Sequence, residues 1–125
     1  MASRPDDLPI ETRARFDIVD ITEQAAKALE GSACRSGRLV AFTSEDGCAL
    51  VVNEKETGFW SDLRSTLERV SGSKDGSQIA IGSPSVTLPI TDGSLGLGTW
   101  QRLLLIELER PGPRSVVFQV MEDPG

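Results

Sequence analysis

The sequence predicts an α+β domain with a largely antiparallel sheet. Three observations carry this. Most apolar segments are short and strand-like, only two segments carry helical spacing, and the connections are brief and rich in glycine, proline and polar residues. In order, the elements read β-α-β-β-α-β-β-β, with a possible extra short strand around Ile79.

Residues 1–13, "MASRPDDLPIETR", read as a polar lead-in, and residues 14–125 as a single domain. The first expected strand is Ala14 to Ile21, where Phe16 and Ile18 alternate with Arg15, Asp17 and Val19. A helix follows, with Asp20 and Glu23 as its capping box, Gly31 as its stop, and Ala25, Ala26 and Leu29 facing the core. "GRLVAFTS" and "CALVVN" are strands joined by "SEDG" in the manner of a hairpin. The second is apolar on both faces, which predicts a central position. Trp60, Leu63, Leu67 and Val70 mark the apolar stripe of a second helix, and "SGSKDGSQ" is a loop. In "VTLPI", Val86, Leu88 and Ile90 share one face, while Pro89 places the strand at an edge or a bulge. "QRLLLIELE" and "RSVVFQVME" are strands flanking the turn "RPGPR".

Composition narrows function. The chain has 125 residues, 38% hydrophobic and 26% charged, with a net charge of -6 and a pI near 4.6. An acidic chain without a basic cluster argues against nucleic acid or an anionic membrane as partner. No apolar run approaches membrane-spanning length, and the N-terminal stretch lacks the apolar core of a secretory signal. Cys34 and Cys48 are too few for a disulfide framework and read as buried thiols of a cytoplasmic protein.

Histidine is absent. That removes Ser/His/Asp and Cys/His catalysis, and two cysteines alone cannot make a usual zinc site. Any general base must be a carboxylate or an uncharged lysine. Glu45, Asp46, Asn53 and Glu54 flank the second apolar strand, where Glu45 and Asp46 also read as plain turn residues and Glu54 as a solvated helix lead-in. In "LGLGTWQ", Gly96 and Gly98 permit a tight backbone path. Thr99 and Gln101 would share one side of a strand, with Trp100 on the other, towards the core.

Together "ITEQ…AL", "ALVVNEKETGFWSDL" and "VTLPITDG…LGLGTWQRLLLIELERPGPRSVVFQV" resemble the YjbQ-like family over nearly the whole chain, from about Ile21 to Glu122. Some members of that family are described as secondary thiamine-phosphate synthases. The resemblance implies a compact α+β subunit assembled as a homotrimer, with histidines that bind a metal ion or an anion. Counting back from Asn53, Glu45 stands where the family carries its first histidine and Ser44 where it carries proline. Ser94 replaces an arginine, and the family's later histidine-bearing segment has no counterpart in "SGSKDGSQIAIGSPS". What carries over is Asn53, Glu54, Thr99, Trp100 and Gln101, with Asp62 and Asp92 nearby.

Two readings follow. The first is a degenerate, non-enzymatic homotrimer without cofactor or metal, in which Asn53, Thr99 and Gln101 contact a small polar or phosphorylated ligand. The second is an enzyme of altered chemistry, with Glu45 or Glu54 as general acid or base. It requires both carboxylates to converge on one concave site with Thr99.

Overall fold

The computed structural model describes residues 6–54, 56–71 and 82–124. Its elements are β1 (Asp6–Thr12), β2 (Ile18–Asp20), α1 (Thr22–Ser32), β3 (Ser36–Phe42), β4 (Cys48–Glu54), α2 (Thr57–Ser71), β5 (Ser85–Thr91), β6 (Ser94–Leu95), β7 (Gln101–Glu107) and β8 (Gly112–Glu122). The strands form two antiparallel sheets, one in the order β1-β8-β3-β5-β6 and one in the order β2-β7-β4.

The alternation along each strand builds the packing. Leu39 and Ala41 of β3, Leu88 and Ile90 of β5, and Val116, Phe118 and Val120 of β8 turn to one side. There they meet Leu50 of β4, Leu103 and Leu105 of β7, and Ala25 and Leu29 of α1. The opposite face of the smaller sheet gathers Ala49, Leu104 and Ile106 with Phe16 and Ile18. Trp60, Leu63 and Leu67 of α2 cover it. The long apolar run of β7 is therefore buried on both sides.

Several expectations are corrected. The stretch read as a lead-in contains β1, which pairs along β8 from Asp6↔Phe118 to Thr12↔Gly112. The strand expected from Ala14 shrinks to Ile18–Asp20 because Phe16 takes a left-handed φ of 66°. Helix α1 passes through Gly31 and ends on Ala33, at φ 57°. Asp20 accepts hydrogen bonds from the backbone N and Oγ1 of Thr22, but Glu23 turns to Arg102, so no capping box closes. Ala26 and Val70 are exposed rather than core-facing.

The expected hairpin through "SEDG" does not form, because β3 and β4 belong to different sheets. The turn after β7 likewise carries the chain from the smaller sheet to the larger one. β4 is an outer strand of its sheet, and its two-sided burial comes from α2 and from the larger sheet, not from strands on both flanks. β5 is not the edge strand that Pro89 predicted, since β6 lies beyond it, but β6 pairs only with Ile90 and Thr91 and leaves Pro89 outside that ladder. Asp92 and Gly93, at φ 53° and 76°, make the β5–β6 turn, the conformation for which an Asp-Gly pair is suited. Gly37 is required by closeness, since a β-carbon there would stand 2.1 Å from the carbonyl oxygen of Met121. The strand expected around Ile79 and most of the "SGSKDGSQ" loop lie outside the described residues.

One charge sits inside this packing. Glu107, fully buried at the end of β7, accepts hydrogen bonds from Thr12 Oγ1 of β1 at 2.7 Å and from Arg114 Nε of β8 at 2.7 Å. Its second oxygen accepts the Glu109 backbone N–H at 3.2 Å. Burial disfavours its charge, but the hydrogen bonds from Arg114 and Thr12 outweigh that and hold the carboxyl below its ordinary range. Its contribution to stability is thus complete above the unfolded-state carboxyl value and is lost as pH falls through the lower folded-state value. Arg114→Met should cost about 3 kcal/mol in urea unfolding at pH 7, because it leaves a buried carboxylate without its cation. The cost should shrink in acid, where Glu107 can take up a proton; an equal cost at pH 7 and at pH 4 would contradict this account.

Candidate functional site

The strand register brings together part of the expected site. Glu54 lies opposite Gln101 and Asn53 opposite Arg102, where the end of β4 meets the start of β7. Glu54, Asn53, Thr99 and Gln101 are all exposed. Trp60 Nε1 of α2 donates to the Glu54 carbonyl at 3.2 Å, and Asn53 Oδ1 accepts the Glu54 backbone N–H at 2.8 Å. The helix thereby holds the strand end in place.

Thr99 and Trp100 are not part of a strand, as the sequence suggested. They occupy a turn, and β7 begins only at Gln101. Gln101 closes that turn twice: its Oε1 accepts the Gly98 N–H at 2.7 Å, and its own N–H donates to the Gly98 carbonyl at 3.1 Å. Trp100 stands at the tip, 75% exposed, and is not a core residue. The amide oxygen of Gln101 is therefore committed to holding the loop.

Glu45 lies elsewhere. It precedes β4 whereas Glu54 ends it, and that strand spans about 20 Å at the usual rise per residue. Glu45 is half-buried, with Oε2 accepting the Ser115 backbone N–H at 3.2 Å. The convergence that carboxylate-based catalysis required is not formed within this chain. Asp62 is exposed on α2, and Asp92 lies in the β5–β6 turn.

Near the site, sequence reasoning missed Arg102 and gave Asp20 and Glu23 only the role of a helix cap. Arg102 Nε donates to Asp20 Oδ2 at 2.8 Å, and its Nη2 pairs with Glu23. Burial works against the Asp20 charge, yet hydrogen bonds from Arg102 and Thr22 pull its pKa below the ordinary value. The hydrogen bond from Arg102 lowers Glu23 as well, and the two carboxylates raise Arg102 in turn. The available signal was an arginine at the head of an otherwise apolar run, opposite an Asp-x-x-Glu that also fits a helix cap.

The donors do not fit the metal-binding group that the resemblance implied. The chain has no histidine, and Glu45 has its carboxylate on a backbone N–H. Among the described residues, no group of three or more His, Cys, Asp or Glu is placed to hold an ion. Cys34 and Cys48 are free and buried, as expected. Burial, and then the charge of Glu107, push the Cys48 thiol up to about 12.

Two outcomes are expected. Gln101→Ala should free the Gly98–Gln101 turn, read as faster local motion of Trp100 in fluorescence anisotropy with an unchanged melting temperature to within a few degrees; unchanged anisotropy would deny the clamp. Cys48 should resist iodoacetamide at pH 8 in the folded protein and react once urea unfolds it, since the thiolate is the reactive form.

The family model described as "UPF0047 protein YjbQ-like" matches residues 6–123. A UPF0047 protein of Archaeoglobus fulgidus is 30% identical, over 92% of this chain and 99% of its own length. One from Methanothermobacter thermautotrophicus is 31% identical, over 94% and 92%. Among solved structures, a YbjQ-like protein of unknown function from Sulfolobus solfataricus superposes with a TM-score of 0.86 at 25% identity, covering 98% of this chain and 100% of that one. An uncharacterised member from Clostridium acetobutylicum, at 22% identity, covers 93% and 99% with a TM-score of 0.86 and supports the fold.

Proposed function

The chain belongs to the UPF0047 YjbQ-like family, and from that premise we propose that it is a degenerate, non-catalytic member that retains a small-ligand site at Asn53, Glu54 and Thr99. The observation that carries this reading is the placement of Glu45 and Glu54 at opposite ends of β4. A catalytic pair of carboxylates must meet at one reacting centre. Here one anchors a backbone N–H while the other faces solvent. The family's histidine position is filled by Glu45 and its arginine position by Ser94, so the groups suited to a metal or an anion are replaced.

The ligand site itself is polar. Asn53 and Glu54 offer side chains at the strand end, Thr99 offers a hydroxyl from the turn, and Gln101 shapes that turn. A neutral polar ligand suits it better than a phosphorylated one, because Arg102 commits its donors to Asp20 and Glu23.

Homotrimeric assembly and a cytoplasmic location belong to the same proposal. Assembly is supported by Phe42, 44% exposed, which pairs with Val117 on the face of the larger sheet turned away from the core. Location is supported by the two free, buried thiols. Among the described residues no helix is long and apolar enough to cross a membrane.

The purified protein should show no thiamine-phosphate synthase activity and carry no stoichiometric transition metal by elemental analysis. One tightly held zinc per subunit, or sustained turnover, would overturn the reading.

A further inference from the structure

A second concavity lies apart from Asn53 and Glu54, a cleft of about 470 Å³ between α1 and the segment that begins with β6. That is within the usual size of small-molecule sites. On the helix side Thr22, Ala26, Leu29 and Glu30 line it at helical spacing. Gly93, Leu95 and Leu97 stand opposite. Leu29 is buried, and Leu95 and Leu97 pack partly on the main core, so the floor is apolar.

Two opposite charges stand at this opening. Glu30 lines it and is exposed. Across from it the Arg35 guanidinium lies against Gly93, where an added β-carbon would stand 3.2 Å from Nη1. The backbone fixes this wall to Arg35, since the Gly93 N–H donates to the Arg35 carbonyl at 3.0 Å. Among the described residues, neither Glu30 nor Arg35 is in an ion pair, with each other or with any other group. The other charges nearby are engaged or lie outside. Arg102, beyond Thr22, is paired with Asp20 and Glu23. Lys27 of α1 lines a different concavity, together with Asp6 and Asp7. Asp92, beside Gly93, is exposed and outside the lining. A ligand with a single charge would be drawn to one of the two groups and repelled by the other, whereas a dipolar ligand is drawn to both.

From these two unanswered charges over an apolar floor we propose that the cleft binds a free α-amino acid with an aliphatic side chain. Glu30 receives the ammonium, the planar guanidinium of Arg35 receives the carboxylate, and Leu29, Leu95 and Leu97 receive the side chain. Ala26 keeps the space open, where a longer side chain would fill it.

The test follows amide chemical shifts of the full chain during titration with three probes of one shape. They are L-leucine, 3-methylbutylammonium, which lacks the carboxylate, and 4-methylpentanoate, which lacks the ammonium. L-leucine should bind with a Kd of about 1 mM. Each singly charged analogue should bind roughly three- to fivefold more weakly, the range for one exposed ion pair. Shifts should centre on Ala26, Leu29, Leu95 and Leu97. Glu30→Gln should weaken L-leucine by the same factor and leave 4-methylpentanoate no weaker. Arg35→Gln should weaken L-leucine and leave 3-methylbutylammonium no weaker. That crossed pattern separates recognition of charge from a general loss of structure. Ala26→Leu, a good helix former at an exposed position, should abolish binding of all three. Equal binding of the three probes, preference for either singly charged one, shifts centred elsewhere, or no shifts at all would overturn the proposal. Asn53→Ala lies outside the cleft and should leave L-leucine binding intact. The readout is binding rather than turnover, so the fate of this site and that of the non-catalytic strand-end site are read separately.

Discussion

The two sheets meet around a single buried carboxylate. Glu107 ends the central strand of the smaller sheet, and its hydrogen-bonding partners Thr12 and Arg114 come from the first and last strands of the larger one. A charge in that position is costly unless its oxygens are satisfied, and here they are. The arrangement sets a geometric condition on three strands at once. If β8 slipped by one residue against β1, Arg114 would point to the opposite face and the charge would lose its partner. Apolar packing between the sheets is forgiving of small shifts, whereas a buried ion pair is not, so the register of β1 and β8 is tied to the end of β7.

The same strand shapes the other end of the molecule. Where β7 begins, its neighbours offer Asn53 and Glu54 on one side and the Asp20–Arg102–Glu23 cluster on the other. The two ends of β4 thus have different chemistry. One is a knot of satisfied groups that includes Glu45, Cys48 and Glu107; the other is open, polar and shaped by a turn that Gln101 holds shut. Retention of "GTWQ" has a structural explanation in that turn, whether or not a ligand ever rests against Thr99.

Local pattern revealed much of this, and partner choice revealed little. Alternation identified Leu88 with Ile90 and the stripe Trp60, Leu63 and Leu67, because one buried face suffices to leave that signature. The resemblance groups Asn53, Glu54, Thr99, Trp100 and Gln101, and of these the strand register sets Glu54 opposite Gln101. Sheet membership was hidden, since "SEDG" looks the same whether it joins paired strands or passes between layers. In sequence Trp100 looks like a core residue, because aromatic side chains are mostly well buried, but the turn that exposes it depends on the Gly98 N–H donating to the side-chain oxygen of Gln101. The role of Glu107 was hidden too. In "LLLIELE" it is one acid after an apolar run, and its partners come from the other sheet: Arg114 from β8, across the turn that changes layers, and Thr12 from β1, 95 residues earlier in the chain.

The pairing of β1 with β8 has a bearing on synthesis. During translation, the N-terminal strand leaves the ribosome long before its hydrogen-bonding neighbour exists. β3 waits as well, because β8 flanks it on the side opposite β5. The nascent chain must therefore keep Leu39, Ala41 and Ile10 out of improper associations until β8 has been made. Assembly of this fold therefore completes only when β8 docks, and exposure to chaperones and to aggregation is concentrated in the interval before it does.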